Sequence, residues 1–230
     1  MWLLTKLFPL RLRPEFARYS LEELRREYRP WDYALVIFFL LLAPYCVYAL
    51  HELFLWHTQF VAQDLGESVY TVLPDSIFWY APASVLGVIL ACVLVSILYH
   101  ALLGMRANQY RYYANLAAGM NASRMYLVFG LLLGCGFAGL AVFAAHSSFQ
   151  LTKDEIVLHR LFGVDEERYP YAQVKGLKQV SSPDGKSAFV IEFEDAPDWT
   201  TAVEIVFPGD SEIAYLSQRS GKPVQSVAAE

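Results

Sequence analysis

The chain has 230 residues, 56% of them hydrophobic and 18% charged, with a formal net charge of −5 and a mean hydropathy of +0.31. That apolar share exceeds what a soluble domain carries, which argues against a purely soluble globular protein, and the acidic balance leaves no basic footprint for nucleic acid, which is not an expected partner. The expected fold class is an α-helical membrane protein with three transmembrane helices and a small C-terminal β-rich α+β domain, and the first partner is the lipid bilayer.

The segment 1–30 comes first. Met1 to Leu10 is apolar but too short for a secretory signal, and Arg11 and Arg13 follow it where a cleavage site would stand, so it is expected to be retained. Ser20-Leu-Glu-Glu23 has the form of a capping box, in which the Ser hydroxyl and the Glu carboxylate satisfy backbone amides at a helix start. A short amphipathic helix from there to Tyr28 is predicted. Its arginines alternate with glutamates, which describes a juxtamembrane helix resting on the membrane surface rather than a lipid sensor.

The transmembrane domain is placed at 31–146. No Asp, Glu, Lys or Arg occurs from Tyr33 to Leu50, from Ser76 to Met105, or from Met125 to Gln150. At about 1.5 Å per residue the shortest of these runs is roughly 27 Å long, close to the hydrocarbon thickness of a bilayer. Soluble helices carry a polar face every turn, and Ala34 to Leu42 has none. The spans are predicted near 31–57, 77–104 and 125–146. Trp31, Tyr33, Trp56, Trp79 and Tyr80 mark the water line, since Trp and Tyr prefer the interface. Asp75 or Ser76 is expected to cap the second helix, with Pro82 in its first turns. Pro44 lies inside the first, where it predicts a kink.

Orientation follows the basic residues. The first thirty residues hold seven Lys and Arg, His51 to Asp75 holds none, and Arg106 to Arg124 holds three. Cytoplasmic loops are enriched in Lys and Arg, so the N-terminus and second connection are expected inside and the first connection outside. Three crossings then put the C-terminal domain on the extracytoplasmic side of a bacterial inner membrane.

Small residues let helices approach in lipid, and two stripes at four-residue spacing present them. Ala83, Gly87 and Ala91 lie on the second span, and Gly130, Gly134 and Ala138 on the third. They are the candidate helix-packing residues, for the second span on the third or for pairing in a homo-oligomer. The spans carry no midplane charge of the kind that couples ions in pumps and carriers. Cys46, Cys92 and Cys135 all fall within spans and read as packing residues, with no disulfide framework.

Chemistry-bearing residues gather at the span ends: His51, Glu52, His57 and His146 toward the outer face and His100 toward the inner. His51 and His57 are six residues apart, about 240° around a helix, so one face does not present both. No zinc spacing, nucleophile elbow, phosphate loop or Cys-x-x-Cys occurs. No catalytic, metal or cofactor site is therefore expected, which argues against an enzyme.

The domain 147–230 shows period-two patterning. Strands are predicted at Glu155 to Phe162, Lys175 to Ser181, Ser187 to Glu194 and Thr200 to Phe207, with a Ser-Pro-Asp-Gly turn at Ser182 to Gly185. A helix is predicted from Asp210 to Arg219, with Ile213 and Leu216 inward and Gly221 and Pro223 ending it. Strands followed by one helix describe a small bent sheet or partial barrel covered by a helix.

The run Phe149-x-Leu151-Thr152-x-Asp154-x-Ile156-Val157, then Tyr169-Pro-Tyr171-x-x-Val174 and Phe193-x-Asp195, resembles the PH-like domains of bacterial membrane-anchored proteins. The resemblance covers about the last third of the chain. It implies a curved antiparallel sheet with a C-terminal helix, tethered to transmembrane helices and without a defined activity. The chain departs from it in placing the domain outside and in its acidic balance, so phosphoinositide binding is not carried over. The expected role is a non-enzymatic membrane protein whose domain binds a protein partner or supports envelope assembly. The alternative is a subunit of a transport or envelope-enzyme complex using His51, Glu52, His57 or His146.

Overall fold

The computed structural model describes residues 2–10, 16, 18–64, 68–163, 165–181, 187–202 and 204–228. Three of its helices are long and apolar enough to cross a membrane. Two units divide the chain: Met1–Glu52 with Ala81–Gly139, and Leu53–Tyr80 with Leu140–Glu230.

In the first unit a short helix α1 (Trp2–Leu7) precedes α2 (Leu21–Asp64). The capping box starts α2 as predicted: the Ser20 amide donates to Glu23 Oε2 at 2.8 Å and the Glu23 amide to Ser20 Oγ at 3.2 Å. The predicted short helix and first span are, however, one helix that runs through Pro30. Proline forfeits one backbone bond, but packing on both sides of it holds the helix together. Leu24 and Tyr28 are buried against Tyr112 and Tyr113 before it, and Trp31 and Leu35 pack around Tyr99 after it.

The second span α3 (Ser76–Leu103) leads through a 3-10 turn at Gly104–Arg106 into α4 (Ala107–Ala118), a helix beyond those predicted. No Gly or Pro interrupts that segment, and Gly119 ends it with φ 65, a left-handed conformation in which its amide reaches the Asn115 and Leu116 carbonyls. The third span α5 (Ala122–His146) follows at once. Asn115 Oδ1 accepts from the Ser123 amide at 3.0 Å, and Asn121 Oδ1 caps the Arg124 amide at 3.1 Å.

In the second unit Asp75 is the residue that caps α3, accepting from the Ile77 amide at 3.0 Å. The connection before it contributes a strand, β1 (Tyr70–Val72), to the C-terminal domain. Sheet one runs β1-β2-β3-β4, with β2 (Ser148–Leu151), β3 (Glu155–His159) and β4 (Glu167–Pro170) antiparallel throughout. Sheet two runs β7-β6-β5-β8, with β5 (Val174–Ser181), β6 (Ser187–Phe193) and β7 (Trp199–Thr200) antiparallel and β8 (Val224–Ala228) parallel to β5. Between β7 and β8 lies α6 (Asp210–Ser220), ended by Gly221 at φ 66.

Phe149, Leu151, Ile156, Leu158, Leu177 and Ile191 are buried in one core with Trp199, and Leu216 of α6 is 0% exposed in the same core. Burying a Leu or Ile side chain contributes about 1.5–3 kcal/mol, which is why the alternating strands and the inward face of α6 come together. Several boundaries differ from the predicted ones. The strand from Glu155 stops at His159, and the strand expected over Thr200 to Phe207 is paired only at Trp199–Thr200. There Thr201 takes over with its side chain: Oγ1 accepts from the Phe189 amide at 2.8 Å while its own amide donates to the Phe189 carbonyl at 3.0 Å. A strand follows the helix, so α6 is not the last element. The predicted turn at Ser182 to Gly185 lies outside the described residues.

Candidate functional site

The small-residue stripe of α3 is buried along its length: Ala83 and Ala91 are 0% exposed, and Val95, Tyr99 and Leu103 continue the four-residue spacing. Its neighbour at Gly87 is α2, because a Cβ there would stand 2.7 Å from the Val47 Cα. Leu35, Phe38, Phe39 and Leu42 of α2 pack around the stripe's other end. On α5, Gly134 lies 3.6 Å from the Ile89 side chain when given a Cβ, Gly130 meets nothing within 4 Å, and Ala138 is exposed.

The histidines do not converge. His51 is buried, with Nδ1 3.9 Å from Glu52, and His57 is exposed. His146 Nδ1 lies 2.8 Å from the Val142 carbonyl. His100 accepts from Arg111 at Nε2 (2.9 Å) and faces the Ser96 carbonyl at 2.9 Å with Nδ1, an arrangement that requires the Nδ1–H tautomer. Among the described residues no three His, Cys, Asp or Glu side chains gather as a metal site. Cys46 is buried, Cys92 and Cys135 are exposed, and all three are free thiols.

One constellation in the first unit lies outside the residues predicted from the sequence. Asp32, at the mouth of the first span, accepts the phenol of Tyr110 on Oδ1 at 2.9 Å and that of Tyr113 on Oδ2 at 2.8 Å. Tyr28 stacks on Tyr113 with ring centroids 5.8 Å apart and donates to Gln109 Oε1 at 3.1 Å. Tyr99 donates to the Trp31 carbonyl. Hydrogen bonds to a carboxylate contribute about 1.5–3 kcal/mol each, so one charge fastens α4 to α2. The available signal was Tyr110-x-x-Tyr113, which puts two phenols on one helix face, together with an aspartate adjoining a charge-free run.

The second unit carries a polar cluster on sheet one. Arg160 Nε donates to Glu167 Oε2 at 2.9 Å, and the Tyr169 phenol donates to the same oxygen at 2.9 Å. Burial, then the Glu167 charge, pushes the Tyr169 phenol up. Glu204 accepts from the Leu161 amide at 3.2 Å, and burial holds its carboxyl above the usual carboxylate range. Arg168 lies between Glu155 at 2.7 Å and Glu166 at 2.6 Å. Each cation is matched by carboxylates, the pattern of a structural ion-pair network. The Trp79 indole N–H, buried with Ala141, Ala144 and Leu161, has no hydrogen-bond partner among the described residues.

These features define the class: a membrane protein with three helices able to cross a bilayer and a C-terminal α+β region of sheets and one covering helix. Compared with known proteins, the chain matches no family model, no curated protein and no solved structure.

Proposed function

We propose that this is a non-enzymatic, multi-pass protein of the bacterial inner membrane whose C-terminal domain, PH-like in fold, faces the extracytoplasmic side and binds a protein partner by strand addition. The observation that carries the reading is the difference between the sheet edges. Edge strand β4 is guarded by Arg168 and Pro170, β7 has two residues and β1 only three. Strand β8 is five residues long, Val-Gln-Ser-Val-Ala, without charge or proline, and Val227 is 40% exposed. An uncharged, exposed edge is the one an incoming strand extends.

Two antiparallel meanders, β2 to β4 and β5 to β7, followed by α6 support the PH-like assignment; β1 and β8 go beyond it. Pairing of Tyr70 with Leu151 supports a shared side for the first connection and the domain, as three crossings require. The basic residues of the N-terminal segment support assigning that side to the outside.

The test is purification in mild detergent with copurifying proteins quantified, for the wild-type chain and for Val227→Lys. A stoichiometric partner retained by the wild type and lost by the variant is expected. A wild-type chain that runs as a clean monomer, or a partner held equally by both, overturns strand addition at β8. Paired C-terminal reporters active only inside or only outside test the sidedness.

A further inference from the structure

The hairpin between β3 and β4 presents an aromatic residue that the core does not use. At its turn Leu161 points inward and is buried beside Trp79, Ala141 and Ala144, residues at the ends of α3 and α5. The next residue, Phe162, is 70% exposed. Its ring is set edge-on against Phe143 of α5, centroids 5.8 Å apart. Phe143 is itself 43% exposed and adjoins Val142, 58% exposed, on the face of α5 turned away from the buried Ala141 and Ala144.

Depth follows from the helix. Phe143 lies three residues before the end of α5 at His146, so its Cα stands about 4.5 Å inside that end. The same level is marked independently, because Trp79 packs with Ala141 and Ala144 and is followed by Tyr80, 55% exposed, at the start of α3. Exposed aromatics at the ends of spans belong to the interfacial belt. The turn's charged neighbours do not oppose this placement: Arg160 is held by Glu167 at 2.9 Å and by the Pro197 carbonyl, Glu166 is paired with Arg168 at 2.6 Å, and Asp165, three residues beyond Phe162, is exposed.

We infer that Phe162 is a lipid anchor: the turn at Leu161–Gly163 seats its ring in the aromatic belt of the adjacent leaflet, so the C-terminal domain is docked on the bilayer surface as well as tethered to it. The occupant of this surface is the lipid around α5, because Phe162 continues the lipid-facing surface that Val142 and Phe143 begin. The inference rests on α5 crossing the membrane and is independent of any partner at β8.

The full chain in phosphatidylcholine nanodiscs, with Cys46, Cys92 and Cys135 replaced by Ala, provides the test. Nitroxide labels are placed at Phe162→Cys, at Val142→Cys as the lipid reference and at Ser226→Cys as the water reference. The ratio of oxygen to nickel-chelate accessibility at 162 is expected to lie severalfold above that at 226 and close to that at 142. A ratio at 162 equal to that at 226 overturns the anchor. The unlabelled wild-type chain gives a second reading by NMR: doxyl lipid is expected to broaden the Gly163 amide and to spare Gly221, while a soluble gadolinium chelate does the reverse. Equal gadolinium broadening of both amides also overturns it.

Discussion

Gly87→Ala isolates the physical basis of the α2–α3 seam. The added Cβ would stand 2.7 Å from both Cα and N of Val47, where ordinary contact begins at 3.4 Å, so the helices must part by 3.4 − 2.7 = 0.7 Å. Backbone atoms receive the clash, and no rotamer change relieves it. A gap of about 0.5–1 Å forfeits a quarter to a half of a dispersion well, and each atom pair is worth about 0.1–0.2 kcal/mol. A seam of a few dozen pairs therefore loses on the order of 1–2 kcal/mol, within the range of about 1–3 kcal/mol for overpacked cores. Ala also gains about 0.8–1 kcal/mol over Gly in helix propensity, so the fair comparison is Gly130→Ala, which receives the same gain and meets nothing within 4 Å. Unfolding in mixed micelles with rising dodecyl sulfate is expected to place Gly87→Ala below Gly130→Ala by about 1–2 kcal/mol. Coincident midpoints for the two variants refute a close α2–α3 approach at Gly87.

Asp32→Ala is expected to cost about 3 kcal/mol or more by stranding two phenols. A cycle of Asp32→Ala with Tyr113→Phe, read in the same unfolding assay, should show coupling of about 1 kcal/mol or more, and additivity would dissolve the fastening of α4. Trp79→Phe removes the unpartnered N–H and keeps the ring, so it should be at least as stable as wild type, whereas Trp79→Ala should lose about 3–5 kcal/mol; a Phe variant that melts like the Ala variant contradicts this. Burial raises the Glu204 carboxyl above its unfolded value, so its stability contribution is full below that value and is lost as pH rises through the folded one. Glu204→Gln, which keeps an acceptor for the Leu161 amide, should melt above wild type near neutral pH and converge with it in acid; parallel pH profiles would exclude Glu204 as the source.

Features set by a bilayer or by neighbouring residues were legible in the sequence. The three spans follow from charge-free runs matched to membrane thickness. Ser20 and Glu23, three residues apart, specify the start of α2, and Gly221 specifies the end of α6. Features decided by distant partners were not. Strand β1 is three residues long, too short for a period-two pattern, and exists because Tyr70 meets Leu151 eighty-one positions later. Strand β8 needs β5, across the whole of β6, β7 and α6.

The same division runs through the candidate site. Small residues at Ala83, Gly87 and Ala91 identify a close-packing face, because absent side chains let backbones approach whatever the neighbour is. They carry no information on which neighbour arrives, and at Gly87 it is Val47 of the preceding span. Pro30 reads locally as a break, yet Leu24 and Tyr28 on one side of it and Trp31 on the other are all engaged in packing, and the helix continues. Asp32 is illegible for a related reason. A lone carboxylate beside an apolar run reads as the edge of a span, and only the arrival of Tyr110 and Tyr113 on a separate helix turns it into a tie between α2 and α4.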